Sequence, residues 1–112
     1  MGLKVTLVVK EAPFFEDTTE KDASFFAMDK LADNILTVKG VFVPSENTAP
    51  LADAFRQSDL VIAKGTGNYE ALAGEFVDKT VIYMLKVKCE PLAINIGADI
   101  GNFIVKLETG YI

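Results

Sequence analysis

Five short apolar runs recur along the chain, each followed by a segment with helix-starting or turn chemistry. They are Leu3–Lys10, Asn34–Val38, Asp59–Lys64, Lys79–Leu85 and Asn102–Leu107. Their inner members are continuous stretches of Val, Ile, Leu and Ala rather than alternations with polar residues. Continuous runs belong to strands covered on both faces, and a strand–helix alternation belongs to a parallel sheet. The pattern predicts an α/β fold: a three-layer α/β/α Rossmann-like sandwich with a mainly parallel sheet. With 112 residues the chain is expected to make one domain.

Between the runs, local signals place the helices. Asp17 followed by Glu20, with Thr18 and Thr19 between them, is an N-cap signal for a helix over Thr19–Met28 that buries Ala23, Phe26 and Phe25. A further helical turn is expected over Asp29–Ala32. Pro50 suits the first position of a helix over Leu51–Arg56. A helix from Asn68 to Ala73 would stop at Gly74, and one opened by Pro91 would run through Ile96 and stop at Gly97.

Composition narrows the chemistry. Half of the residues are hydrophobic and about a quarter are charged, as in a globular chain. The net charge of −5 argues against nonspecific binding to nucleic acid or to an anionic membrane. One cysteine, Cys89, permits no internal disulfide and fits a reducing, cytoplasmic setting. With no histidine to act as its base, Cys89 is expected to be a buried, inert thiol. The absence of histidine also removes the commonest general base and the commonest zinc ligand. Met1-Gly2-Leu3-Lys4-Val5-Thr6 matches the loose N-myristoylation pattern, but the same residues read better as the start of a strand.

The segment Lys64-Gly65-Thr66-Gly67-Asn68-Tyr69-Glu70 directly follows the apolar run ending at Ala63. In open α/β sheets, ligands bind at the carboxyl ends of the strands. Gly65 and Gly67 are able to take positive φ and let backbone amides approach an anion, and Lys64 adds positive charge. Asn68 donates from its side chain and from the first turn of the following helix. Two other strand ends carry polar residues, Glu16-Asp17-Thr18-Thr19 and Lys86-Val87-Lys88-Cys89. A carboxylate, an amide and several lysines on one edge suit a phosphate ester with a hard divalent cation. Taken singly, Asp17 is also an ordinary N-cap, the lysines are also ordinary solvated charges, and the glycines also make an ordinary turn. The spacing is neither a Walker A loop nor a complete Gly-x-Gly-x-x-Gly fingerprint.

At these residues the chain resembles the metal-dependent damage-control phosphatases of the ARMT-like family. The likeness rests on Asp59–Glu70, on Leu85-Lys86-Val87-Lys88-Cys89, and on Val5–Lys10 with Pro13 and Glu16–Thr19, in that order. It implies a Rossmann-like catalytic domain and a divalent metal, manganese, magnesium, cobalt or nickel. The implied reaction is hydrolysis of small phosphate monoesters such as sugar phosphates and damaged phosphometabolites. By position, Asp17 would match a metal-ligand aspartate. Asn68 and Lys88 would match residues that hold the substrate phosphate, with Lys64, Gly65 and Gly67 shaping that pocket.

The family also carries an Asp-Asn pair at the end of an earlier strand and a helical N-terminal region. Asp33-Asn34 stands between a helical turn and a strand, where a local turn is expected instead. The chain therefore resembles the C-terminal part of the family's fold, and three readings follow. It is a phosphatase-lineage domain, weak or inactive alone and holding metal weakly or not at all. Or it is one subunit of a split enzyme, completed by homo-oligomerisation or by a complementary N-terminal polypeptide. Or it is a non-catalytic phosphate-binding or structural remnant.

Overall fold

A computed structural model describes residues 2–11, 19–25, 27–40, 42–44, 49–73 and 79–109. The chain groups into two compact units, Met1–Gln57 and Ser58–Ile112. The fold class is Rossmann-like α/β, with a two-stranded parallel sheet in the first unit and a three-stranded mixed sheet in the second.

The first unit contains β1 (Thr6–Lys10), α1 (Glu20–Phe25), a 3-10 turn (Met28–Lys30), β2 (Asn34–Val38) and α2 (Leu51–Gln57). The two strands pair in parallel, with Thr6 opposite Asn34 and Lys10 opposite Val38. Among the described residues of this unit, the buried apolar ones are Val9, Ala23 and Val38. β1 begins at Thr6, later than expected, and Leu3 and Val5 are exposed. α1 takes its N-cap from Thr19, whose carbonyl accepts from the Ala23 amide at 3.0 Å. Asp22 closes a reciprocal box. Its carboxylate accepts from the Thr19 backbone and hydroxyl, both at 2.9 Å, and the Asp22 amide donates to the Thr19 hydroxyl. The helix start signalled by Asp17 and Glu20 is thus set by Thr19 and Asp22. The backbone and side-chain hydrogen bonds from Thr19 hold the Asp22 carboxyl below its ordinary pKa.

Ala27, left-handed at φ 59°, leads into the 3-10 turn, which lies one residue earlier than the expected turn. Pro50 stands one place before its expected position, because its carbonyl accepts the first helical hydrogen bond of α2, from Ala54. Phe42 packs on Phe55 of α2 with ring centroids 5.2 Å apart. Pro13, Phe26 and Gly74, and the side chain of Phe25, lie outside the described residues.

The second unit contains β3 (Leu60–Lys64), α3 (Thr66–Ala73), β4 (Thr80–Lys86), α4 (Glu90–Ile96) and β5 (Phe103–Glu108). Strand order is β3-β4-β5. β3 and β4 are parallel, with Leu60 opposite Thr80 and Lys64 opposite Met84. β5 returns antiparallel to β4, with Lys86 opposite Phe103. The strand alternation sends Val61, Ala63, Val81, Tyr83 and Leu85 to one side of the sheet. That side meets α3, where Tyr69 and Leu72 are buried, and α4, where Leu92 is buried. The Tyr69 ring meets Tyr83 edge-on, centroids 5.0 Å apart. Side chains of this size each stabilise by about 1.5–3 kcal/mol when fully buried, so Tyr83, Val81 and Val87 anchor the unit. α4 ends as expected: Gly97 is left-handed at φ 79° and donates to the Ala93 carbonyl at 2.8 Å.

Candidate functional site

The parallel pairing of β3 and β4 brings both strands' carboxyl ends to one rim of the second unit. Lys64 closes β3 and is exposed; Lys86 closes β4, two residues beyond the partner of Lys64. Val87 extends the pairing by donating to the Asn102 carbonyl and is completely buried. Lys88 follows it, exposed, before α4 begins. Burial of Val87 fixes the backbone from which the two flanking lysines project.

The turn after β3 has one residue. Gly65 adopts φ +97°, a conformation that a side chain strains. Its amide continues the ladder to the Met84 carbonyl at 2.8 Å, and its carbonyl accepts the first hydrogen bond of α3 from Tyr69 at 3.2 Å. The helix therefore starts at Thr66, two residues earlier than the expected Asn68. Gly67 is helical and does not take the positive φ expected of it. The amides of Thr66, Gly67 and Asn68 make up the first turn, where a helix leaves its N–H groups without an intrahelical acceptor. Asn68 donates its side-chain amide back to the Lys64 carbonyl at 2.7 Å, which fastens the start of α3 to the end of β3.

The rim is braced from below. The Tyr69 hydroxyl donates to Asn95 Oδ1 at 2.8 Å, which links α3 to α4. Lys106 of β5 lies 5.6 Å from the centre of the Tyr69 ring and 3.4 Å from the Glu108 carboxylate. Burial works against the Lys106 ammonium, but Tyr69 and Glu108 together outweigh it and raise its pKa. Burial, assisted by Glu108 and Tyr69, pushes the Tyr83 hydroxyl up to about 12. At the rim itself, the Lys86 ammonium sits 5.5 Å from the centre of the Phe103 ring, within cation–π range.

Lys64, Gly65, Gly67, Asn68 and Lys88 thus share one rim of one unit. Asp17 lies outside the described residues. Asp33 and Asn34 lie at the amino end of β2: the Asp33 carboxylate accepts from the Val5 amide at 2.6 Å, and both backbone amides donate to the Val5 carbonyl. Only Asp33 stands in a bend, as expected of the pair; Asn34 is already the first residue of β2. Cys89 corrects an expectation: it is exposed, because it precedes α4 at the surface instead of pointing inward as Val87 does. One lysine carries no sequence motif of its own. Lys10 is buried at the carboxyl end of β1, with its ammonium donated to the Gly40 carbonyl; its one signal is a lysine closing an apolar run.

Chemically, first-turn amides beside exposed lysines suit an anion. They do not suit a divalent cation, which takes several oxygen ligands. Among the described residues no group of three or more carboxylate or thiol side chains could hold a metal ion. No helix among them is long and apolar enough to cross a membrane.

Comparison with known proteins adds to this geometry. The profile of the damage-control phosphatase ARMT1-like domain matches residues 1–103. An uncharacterized protein of Methanocaldococcus jannaschii is 37% identical over 105 residues, which are 90% of this chain and 34% of that protein. A damage-control phosphatase of Archaeoglobus fulgidus is 36% identical over 107 residues, 93% of this chain and 37% of that protein. The crystal structure of a DUF89 family protein from Pyrococcus horikoshii superposes with a TM-score of 0.79 at 25% identity, covering 89% of this chain and 35% of its own. The chain spans about a third of the length of the curated relatives it matches.

Proposed function

This chain belongs to the damage-control phosphatase ARMT1-like family, and on that premise we propose that its second unit is the phosphate-binding part of a phosphomonoesterase. The substrates are small phosphate monoesters, sugar phosphates or damaged phosphometabolites. The chain by itself binds the phosphoryl group and turns it over weakly or not at all.

The observation that carries this reading is the shared rim. Lys64, the Gly65 turn and the first-turn amides of α3 stand beside the Lys86–Lys88 strand end. Phosphoryl transfer asks a protein mainly for positioning and for donors aimed at the growing charge on the phosphoryl oxygens. In this reading the Gly65 turn admits an oxygen close to the backbone, and Lys64 and Lys88 neutralise charge from either side. Asn68 holds the turn in register through the Lys64 carbonyl. A divalent cation, as the family resemblance implies, needs oxygen ligands beyond those on the rim, with Asp17 the sequence candidate. The rim residues do not fit a cation, and their part is confined to the anion.

Thermal unfolding in inorganic phosphate and in a sugar phosphate, paired with hydrolysis assays in Mn²⁺, Mg²⁺, Co²⁺ and Ni²⁺, tests both halves. A phosphate-dependent rise in Tm is expected in the native chain and is lost in Lys64→Ala and Lys88→Ala, with turnover near background. No rise at ten millimolar phosphate, on the order of the weakest useful affinity, would sink the binding half. Brisk metal-dependent turnover that Asp17→Ala abolishes would sink the claim of inactivity alone.

A further inference from the structure

We propose that the Tyr69 hydroxyl is a positioning group for the phosphate rim. Through Asn95 and α4 it sets the Lys88 strand end against the first turn of α3, and so sets how tightly the rim holds a phosphoryl group. The inference deepens the phosphate-binding reading given above and rests on it. Every group it uses lies inside the second unit. Tyr69 is 4% exposed, and several supports meet on it. Its amide donates to the Gly65 carbonyl at 3.2 Å, which starts α3. Its ring meets Tyr83 of β4 edge-on, and the Lys106 ammonium of β5 lies 5.6 Å from the ring centre. Its hydroxyl donates to Asn95 of α4.

A phenylalanine would bury nearly the same surface here, so packing accounts for the ring and not for the hydroxyl. What the hydroxyl adds is direction. α4 has seven residues, and Leu92 is the buried one. Burial of one leucine is non-directional, so it holds the helix down without fixing its turn about its own axis. Asn95 stands three residues after Leu92, on the same side of the helix, and its bond to Tyr69 supplies the directional point. The consequence reaches the rim because each helix begins directly at it. Gly65, and the Asn68 bond to the Lys64 carbonyl, tie α3 to the end of β3. Cys89, whose carbonyl accepts from the Ala93 amide at 3.0 Å, ties α4 to Lys88. A shift of α4 relative to α3 therefore moves Lys88 relative to the first-turn amides. Groups that act together on one ligand lose effect steeply when their spacing slips by about 1 Å.

Inorganic phosphate is titrated into the full chain by calorimetry, at one temperature well below the unfolding midpoint of every variant. Tyr69→Phe and Asn95→Ala should each raise Kd about three- to tenfold. The double variant should bind as either single one does, because both remove the same bond. Val81→Ala removes buried volume at the opposite end of β4 from the rim. It should lower the unfolding midpoint at least as far as Tyr69→Phe and leave Kd unchanged, which separates positioning from stability. The proposal is overturned by native affinity in Tyr69→Phe, by single losses that multiply in the double variant, or by an equal loss in Val81→Ala. In those cases the binding reading stands as long as the native chain binds phosphate and Lys64→Ala does not. A native chain that binds no phosphate removes the reading and the proposal together.

Discussion

Gly65 and Gly67 stand two residues apart and are not equivalent. Gly65 holds φ +97° with open space where a Cβ would sit, so alanine there is opposed by backbone conformation alone. Gly65→Ala should lower stability by about 1–2 kcal/mol. Gly67 lies in the first turn of α3 and is exposed. Gly67→Ala should raise stability by up to about 1 kcal/mol, because glycine is the poorer helix former. Urea unfolding of the two variants separates them by sign. If both lose stability equally, the helix does not start at Thr66. In the proposed phosphate site both alanines crowd the approach of the anion, so phosphate affinity falls in each while stability moves in opposite directions.

At the scale of elements, the rim depends on α3 and α4 holding their places on the sheet. Tyr69→Phe deletes the hydroxyl that donates to Asn95 and keeps the ring on Tyr83. It should cost about 1 kcal/mol and be read as a small downward shift in the urea midpoint. A Tyr69→Phe/Asn95→Ala double cycle should give a coupling of about 0.5–1.5 kcal/mol; additivity would mean that the bond contributes nothing. This link was invisible in the sequence, because the two residues lie in different helices and neither has a partner at helical spacing. The strands were legible to within a few residues, since continuous apolar runs bounded by Gly, Pro and Asn leave little choice. The antiparallel return of β5 was not legible: Phe103–Glu108 reads like the other strands, and direction comes from the Gly97–Asn102 connection. The candidate rim was legible as lysines and glycines at strand ends. Its backbone half was misread at Gly67, because a helix lacking a Ser, Asp or Asn cap gives no sign that it starts right after Gly65.

For the whole molecule, the buried phenol of Tyr83 ties stability to alkaline pH. Its pKa rises from the ordinary 10 to about 12 in the fold, so the folded state keeps a proton that the unfolded chain gives up. The stabilising contribution is complete below pH 10 and is lost as pH climbs through about 12. Lys106, raised as well, acts in the same direction. Urea midpoints should therefore fall as pH rises from 10 towards about 12, and fall less steeply in Tyr83→Phe. An unchanged slope in that variant would assign the loss to other groups. The same molecule offers a spectroscopic handle. Its sole thiol, Cys89, is exposed and directly follows Lys88 at the rim. A maleimide fluorophore would attach at a single known position beside the proposed phosphate site, and its emission would report anion titrations without any engineered cysteine.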